Sequence, residues 1–371
     1  MQASELPGLM ATVLWAAFAL AAAFGAIAQR THFCTMGAVA DIVNIGDWRR
    51  MRMWVMAIGV AMIGFNAMVG AGLVQAASTI YAGPRLIWLS NIVGGLLFGI
   101  GMVLASGCGS KTLVRVGGGS LKSLVVFFVL AVSAYATLRG VVAVARVATI
   151  DRVAATLPAG QDLPSLVAHL SGGAPRTLAL WLGCGVGAAL VLWSLARREG
   201  RSGDVLLGGL GIGAVIVGVW WVSGILGHVP EHPLTLEDTY IGTNTQRMES
   251  LSFVAPVAYT VDWLILFSDA SKVLTIGIVS TLGVIVGSAA AAVAGRSFRW
   301  EGFGGTEDTA NHLVGATLMG IGGVTAMGCT IGQGLSGVST LALGSFIALA
   351  SIVGGAVLAL RYQVWSIDRI G

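Results

Sequence analysis

Charge is scarce in this chain of 371 residues. Only 10% of the residues are charged, whereas 56% are hydrophobic and the mean hydropathy is +0.86. A soluble globular domain carries about 25% charged residues, so the composition excludes a soluble protein and predicts an integral membrane protein. The apolar runs are long and continuous rather than alternating, which indicates membrane-spanning helices and not the strands of a barrel.

Cysteine is rare as well. The chain has four, without any CxxC pair, which argues against a thioredoxin-like or metal-binding motif. The five histidines are scattered, so a zinc site is not indicated either. No nucleotide-binding motif is present. We therefore expect no catalytic residue, no metal, no cofactor and no nucleic-acid partner.

Carboxylates are missing from the predicted spans, which argues against a cation pathway and a proton relay. The first apolar run has an acidic leader, Glu5, and no small-residue cleavage site. A cleaved signal peptide has the opposite features, so we expect this run to remain as a span.

Nine spans are predicted, because a membrane helix needs about 20 apolar residues. With the N-terminus outside, the inside segments hold fourteen basic residues and the outside segments six. The positive-inside rule therefore predicts an outside N-terminus and an inside C-terminus. The predicted spans are residues 8–29, 53–77, 87–107, 121–145, 177–196, 205–227, 273–295, 311–328 and 339–360.

An internal repeat relates two of these spans. Residues 91–108 read NIVGGLLFGIGMVLASGC and residues 312–329 read HLVGATLMGIGGVTAMGC, which align without a gap at an offset of 221. The predicted topology runs the two copies in opposite directions. An inverted repeat of this kind places a substrate site between broken helices near the membrane midplane.

The longest uncharged stretch, residues 313–360, contains the turn AMGCTIGQGLSG. An uncharged, glycine-rich turn between two spans is typical of a re-entrant segment that lines a cavity. We therefore predict an all-α polytopic fold with short re-entrant helices and an hourglass-shaped pathway. It forms a single integral membrane domain, residues 1–371, whose repeat halves are 8–147 and 273–361. The halves are linked by spans 177–196 and 205–227 and by outside segments 146–176 and 228–272.

Three cysteines are candidates for contact with a solute. Cys108 and Cys329 occupy the same place in both repeats, where the helix is expected to break, and Cys34 follows the first span in THFCTMGA. A buried cysteine is otherwise a small hydrophobic residue, and that interpretation is kept for Cys184. The roles of Cys184 and Arg139 stay open.

Soft sulfur suits either a cuprous ion or a sulfur-containing anion, and the lack of intramembrane carboxylates favours the anion. Lys111 and Arg115 follow Cys108 and either contact that anion or simply obey the positive-inside rule. Neutral side chains near the two turns offer further hydrogen-bonding groups: Asn91, Ser110, Thr330 and Gln333.

The segments RTHFCTMGAVADIVNIGDWRRMRMW, GIGMVLASGCGSKTLVRVGGGSLKSL and GIGGVTAMGCTIGQGLSG resemble the YeeE/YedE family of bacterial sulfur transporters. The resemblance covers nearly the whole chain. It implies an hourglass-shaped protein of the inner (plasma) membrane that takes up thiosulfate, with a periplasmic N-terminus and a cytoplasmic C-terminus. It also implies that Cys329 lies toward the periplasm, Cys108 near the constriction and Cys34 toward the cytoplasm.

The exact substrate stays open, since the family is also linked to selenium compounds. Besides the lipid bilayer, a cytoplasmic sulfur-accepting protein is an expected partner. Three other classes remain as alternatives: a membrane thiol oxidoreductase, a copper channel, for which MRMWVM is the one hint, and a channel for small neutral solutes.

Overall fold

A computed structural model describes residues 4–233 and 235–370, and these form fourteen α-helices and two short strand pairs. In chain order the helices are α1 (Leu6–Thr31), α2 (Thr35–Ile45), α3 (Arg49–Gly70), α4 (Trp88–Leu104), α5 (Gly109–Gly117), α6 (Leu121–Arg139), α7 (Val141–Ala148), α8 (Leu163–Ser171), α9 (Pro175–Leu195), α10 (Gly203–Trp221), α11 (Ala255–Ile265), α12 (Ile276–Ala294), α13 (Thr306–Thr325) and α14 (Leu343–Ile370). Two π-helical segments, Val222–Leu226 and Gly332–Gly337, and three short 3-10 helices, Ala76–Ser78, Ile150–Arg152 and Arg198–Arg201, complete the described helical structure.

The long helices confirm an all-α polytopic membrane protein. In the described part of the chain, eight helical segments are long and apolar enough to cross a membrane. The eighth predicted span, 311–328, coincides with α13, which has 20 residues but is not among the eight helical segments that qualify. The reason is polarity, because its first two turns contain Glu307, Asp308 and His312.

The fourth span differs from its prediction at its end. The sequence pattern predicts a continuous span over 121–145 with Arg139 inside it, and this detail is wrong. Arg139 is the last residue of α6, because the chain leaves the helical conformation at Gly140 (φ −103°, ψ −157°) before α7 begins.

Helices α4 and α13, which contain the repeated sequence, cross in close contact. A Cβ atom on Gly94 would lie 2.7 Å from the carbonyl oxygen of Gly322, and one on Gly101 would lie 2.6 Å from that of Gly315. An early residue of each helix therefore meets a late residue of the other, so the two helices are antiparallel. Small residues at such a crossing let the backbones approach closely.

The segments that the sequence assigns to the outside contain the strands. Strand β1 (Arg85–Leu86) pairs antiparallel with β2 (Ala155–Thr156), and β3 (His228–Val229) pairs antiparallel with β4 (Thr239–Tyr240). Gln161, which follows β2, connects its segment to the start of α14. Its carbonyl oxygen accepts a hydrogen bond from the N–H of Leu343, and its Oε1 accepts one from the N–H of Gly344. These segments therefore extend over the turn that precedes α14.

Candidate functional site

Each of the three candidate cysteines stands just before a short helical segment. Cys34 is the N-cap of α2, Cys108 is the N-cap of α5, and Cys329 precedes the π-helical segment Gly332–Gly337. The first free N–H groups of a helix and its dipole favour negative charge at this end. The fold therefore brings three thiols to positions that suit an anion.

The sulfur atoms share a pattern of contacts with the backbone. Cys34 Sγ accepts a hydrogen bond from the N–H of Gly37 at 3.3 Å, and Cys329 Sγ accepts one from Gly332 at 3.4 Å. The backbone N–H of Lys111 interacts with the Cys108 sulfur without the geometry of a full hydrogen bond. In all three cases the donor lies three residues after the cysteine, as it does in helix N-caps.

Two residues before each cysteine, the backbone adopts a left-handed conformation. His32, Ser106 and Met327 have φ values of 53°, 54° and 57°. Positive φ is uncommon for residues other than glycine, and here it ends the preceding long helix. The long helix therefore ends just before each thiol, and for Cys108 and Cys329 this is the place where the sequence predicts a helix break.

The two repeat copies have the same hydrogen bonds at this turn. The N–H of Ala105 donates to the carbonyl of Gly101, and the N–H of Ala326 donates to that of Gly322. Both pairs are related by the offset of 221 that relates the two sequences. The sequence similarity is thus matched by equal backbone geometry at the end of α4 and of α13.

The three thiols lie close together in the interior. Cys108 and Cys329 have no exposed surface, and Cys34 is 8% exposed. The side chains of Cys34 and Cys108 are within interacting distance of each other, Cys108 is within electrostatic range of Cys329, and the Thr330 hydroxyl lies near Cys108 without the geometry of a full hydrogen bond. We call Cys34, Cys108 and Cys329 the thiol row, with Cys108 at its centre.

Unpartnered hydroxyl groups accompany the thiol row. The Oγ1 atoms of Thr35 and Thr330 and the hydroxyl of Tyr81 are buried, and none has a hydrogen-bond partner among the described residues. Thr35 follows Cys34, Thr330 faces Cys108, and Tyr81 interacts with Cys329. Buried polar groups are normally hydrogen-bonded, so these three hydroxyls have hydrogen-bonding capacity that the described residues do not use.

The predicted polar residues divide into two kinds. Ser110 Oγ lies 3.3 Å from Cys108 Sγ, and the buried Oδ1 of Asn91 has no partner among the described residues. Gln333 is held in place instead, since its Nε2 donates to the Ala326 carbonyl at 2.6 Å and its Oε1 accepts from Ser345 Oγ at 2.6 Å. Ser110 and Asn91 thus have free hydrogen-bonding capacity, whereas Gln333 stabilises the turn that contains Cys329.

The two basic residues of α5 have different surroundings. Lys111 lies within electrostatic range of the Cys34 and Cys108 thiols. Arg115 donates from Nη1 to the carbonyl oxygen of Ser106 at 2.9 Å and so stabilises the turn before Cys108. Lys111 is therefore the basic group that an anion at the thiol row would meet.

Two residues left open by the sequence lie apart from the thiol row. Cys184 Sγ is 3.9 Å from the carbonyl oxygen of Ile63 in the packing between α9 and α3, as expected for a packing residue. Arg139 lies within electrostatic range of Tyr135 and Tyr259. No group of three or more potential metal ligands from His, Cys, Asp and Glu occurs in the described ranges.

A cavity of about 300 Å³ lies beside the turn that carries Cys329. Its wall includes Met327 and Gly328, which directly precede Cys329, and also Ser252 and Glu249. Ser252 also contacts the turn on the side of Gly332. Its Oγ would lie only 2.6 Å from a Cβ atom added to Gly332. The cavity thus ends next to the thiol row.

Tyr81, Ser252 and Glu249 are missing from the sequence prediction. Tyr81 and Ser252 come from segments between the long helices, which have no periodic pattern and no resemblance to the repeat. Only the fold brings them to the turn. The weak signal in the sequence is the uncharged run LSFVAP within an otherwise polar segment, which indicates that this part is buried.

A polytopic helical protein with a buried row of thiols at helix starts has the features of a membrane transport protein. Sequence comparison agrees and makes the class specific. The chain belongs to the sulphur transport family, whose profile matches residues 30–358. It is therefore a transporter and not an enzyme, which decides against the thiol oxidoreductase alternative.

Individual relatives cover the chain to different extents. The thiosulfate transporter TsuA of Escherichia coli is 27% identical over 342 residues, which are 90% of this chain and 90% of that protein. The thiosulfate transporter TsuA of Spirochaeta thermophila is 27% identical over 357 residues, or 91% and 94% of the two chains. The probable transporter YedE of Escherichia coli is 29% identical over 94 residues, only 25% of this chain and 21% of its own length.

Proposed function

We propose that this protein carries thiosulfate into the cytoplasm across the bacterial inner (plasma) membrane, through a path lined by Cys329, Cys108 and Cys34. The observation that carries the proposal is the buried thiol row at the starts of three short helical segments. The similarity to two proteins named thiosulfate transporters over 90% or more of the chain supports this substrate.

The chemistry of thiosulfate fits these surroundings. The anion has a soft terminal sulfur and a hard, charged end with three oxygens, and an uncharged pore would reject it because desolvation is costly. The thiols offer weak S–H donors to the terminal sulfur. The hydroxyls of Tyr81, Thr330 and Thr35, which have no partner among the described residues, offer donors to the oxygens.

Weak contacts in series suit passage better than one strong site. A solute must bind well enough to enter and weakly enough to leave. Neutral thiols and helix N-termini meet both conditions, and Lys111 draws the anion toward Cys34 at the far end. No covalent step is needed, and a cytoplasmic sulfur-accepting protein that consumes the cargo would keep the flow inward.

The test is uptake of sulfur-labelled thiosulfate by membrane vesicles that contain the purified protein, compared with vesicles that lack it. Excess unlabelled thiosulfate is expected to abolish the signal. Sulfate is expected to compete poorly, because it lacks the soft terminal sulfur. Equal uptake by both kinds of vesicle would exclude the proposed function, and equal competition by sulfate would exclude recognition of the sulfur atom.

The same assay decides between thiosulfate and related cargo. Sulfite, selenite and selenosulfate are added as further competitors. If selenosulfate or another selenium anion competes more strongly than thiosulfate itself, then that anion is the preferred substrate. The thiol row is compatible with this second candidate, because selenium is as soft as sulfur.

A further inference from the structure

The cavity beside Cys329 contains two polar atoms without partners. Both Glu249 Oε1 and Arg146 Nε are shielded from solvent, and neither has a hydrogen-bond partner among the described residues. Both residues line the same cavity of about 300 Å³. Because buried polar groups are nearly always hydrogen-bonded, two residues with such atoms on one cavity point to a polar binding site there.

Arg146 provides a hydrogen-bond donor, and its positive charge is neutralised by Asp151. Its Nη1 is 2.6 Å from Asp151 Oδ2, and Asp151 Oδ1 accepts a hydrogen bond from Ser90 Oγ at 2.6 Å. The side chains of Arg146 and Asp151 are only 17% and 11% exposed, so this is a sheltered ion pair. Arg146 is thus fixed in position beside the cavity, and its Nε–H is left without a partner among the described residues.

Glu249 has no such counter-ion among the residues that the structure describes. The backbone N–H of Asn244 interacts with its carboxyl group, and burial raises the pKa of Glu249 from its usual value to about 8. A carboxyl group with this pKa is mostly protonated at neutral pH. In that state it is a hydrogen-bond donor and does not repel an anion.

Other ionisable groups around Glu249 do not change this picture. Tyr259 of α11 and Tyr81 face it, and Arg146 of α7 lies on the same cavity. On its own segment, Arg247 donates to the carbonyl of Thr79. Beyond Tyr259 lie Arg139 and the ion pair of Asp262 with Lys272.

We propose that Glu249 and Arg146 form an outer binding site for the substrate anion, in which Glu249 is a neutral carboxylic acid that donates a hydrogen bond to the anion's oxygens. The identity of the anion as thiosulfate rests on the proposed function. From this site the anion passes Gly328 and Ser252 and reaches Cys329. Ionisation of Glu249 places a negative charge against the anion and closes the site.

The sign of the pH dependence follows from this arrangement. The carboxyl group is neutral below its pKa, so binding is strongest at neutral and acidic pH and is lost as the pH rises through about 8. Only the neutral fraction binds, and this fraction falls about tenfold between pH 7 and pH 9. Thiosulfate is a dianion throughout this range, so its own charge does not change.

Two measurements on the full chain test the proposal: calorimetric binding of thiosulfate to the purified protein in detergent, and vesicle uptake, both across about pH 6 to pH 9. In the wild type, the apparent affinity is expected to fall about tenfold from pH 7 to pH 9. Glu249→Gln keeps a donor that does not titrate, so its affinity is expected to stay constant. Glu231→Gln, which changes an exposed carboxylate in the same segment, is expected to follow the wild type.

A wild type without the alkaline fall, or a Glu249→Gln variant with the same fall, would overturn the proposal. Thiosulfate binding without uptake would contradict only the transport function, and its pH profile would still decide the role of Glu249. An absence of thiosulfate binding to the wild type at every pH would exclude the outer site.

The contribution of Arg146 is tested separately. Arg146→Gln alone would leave Asp151 buried and unpaired, so the double variant Arg146→Gln with Asp151→Asn is used. Loss of one hydrogen bond is expected to weaken thiosulfate binding about fivefold at all pH values, with the alkaline fall retained. Unchanged affinity in the folded double variant would remove Arg146 from the site.

Discussion

At the scale of single residues, Cys108 combines a structural and a chemical role that substitution can separate. Serine is a better helix N-cap than alanine, so Cys108→Ser keeps the start of α5, and Cys108→Ala is expected to be about 1 kcal/mol less stable than Cys108→Ser. Neither variant has the soft sulfur at the centre of the thiol row. We therefore expect thiosulfate uptake by both variants to be at least tenfold lower, although Cys108→Ala is the less stable of the two in thermal unfolding.

The matched control is Cys184→Ala, which removes a thiol outside the row. Its uptake is expected to equal that of the wild type, because Cys184 only packs against α3. Wild-type uptake by Cys108→Ser would contradict a role for sulfur at this position. Loss of uptake in Cys184→Ala would show that the assay responds to any lost cysteine.

The three cysteines of the thiol row could be predicted from the sequence, whereas Glu249 and Tyr81 could not. Cys108 and Cys329 could be identified because a repeat places both at a predicted helix break, and Cys34 because a glycine and polar residues flank it. Glu249 and Tyr81 could not, because they come from connecting segments without a pattern. Their proximity to Cys329 depends on long-range folding of those segments over the turn.

At the scale of helices, the crossing of α4 and α13 fixes where the two turns lie. A Cβ on Gly101 would approach the carbonyl oxygen of Gly315 to 2.6 Å, and both atoms belong to rigid helix backbone. Gly101→Ala therefore forces the helices apart, at a cost of about 1–3 kcal/mol. We expect a clearly lower midpoint of thermal unfolding in detergent, followed by fluorescence-detected gel filtration, together with reduced uptake.

Gly185→Ala in α9 is the control for this substitution, since no atom lies within 4 Å of its Cβ position. It is expected to leave the unfolding midpoint unchanged or slightly higher, because alanine favours helix more than glycine does. Equal midpoints for Gly101→Ala and the wild type would mean that the helices can separate freely at this crossing.

The helices also show what the hydropathy of the sequence can predict. All nine predicted spans overlap long helices, because continuous apolar runs are a strong signal. Their ends are less accurate: the span predicted over 53–77 corresponds to α3, which ends at Gly70, and α6 ends at Arg139. Such ends depend on local turns, which hydropathy does not report. The glycines shared by the repeats are visible in the sequence, but which glycine meets which follows only from the antiparallel crossing.

At the scale of the whole molecule, the two ends of the thiol row have different electrostatic surroundings. The cavity next to Cys329 holds Glu249 and the neutralised pair of Arg146 and Asp151. The end next to Cys34 holds Lys111, and the nearby Arg50 is paired with Asp41 at 3.3 Å. An anion therefore meets neutral donors at one end and the positive charge of Lys111 at the other. This asymmetry distinguishes the two ends of the thiol row.

The orientation of the chain in the membrane decides which end of the thiol row faces the periplasm. Single cysteines at Glu231 and Arg198, two exposed positions assigned to opposite sides, are introduced into a Cys184→Ala background. The three remaining native thiols are buried and react slowly with a bulky reagent. With the N-terminus outside, a membrane-impermeant maleimide is expected to label Glu231→Cys in cells with a permeabilised outer membrane, and Arg198→Cys only after lysis of the inner membrane. The reverse pattern would place Lys111 on the periplasmic side and Cys329 on the cytoplasmic side, and it would contradict the order of thiols that is proposed for uptake.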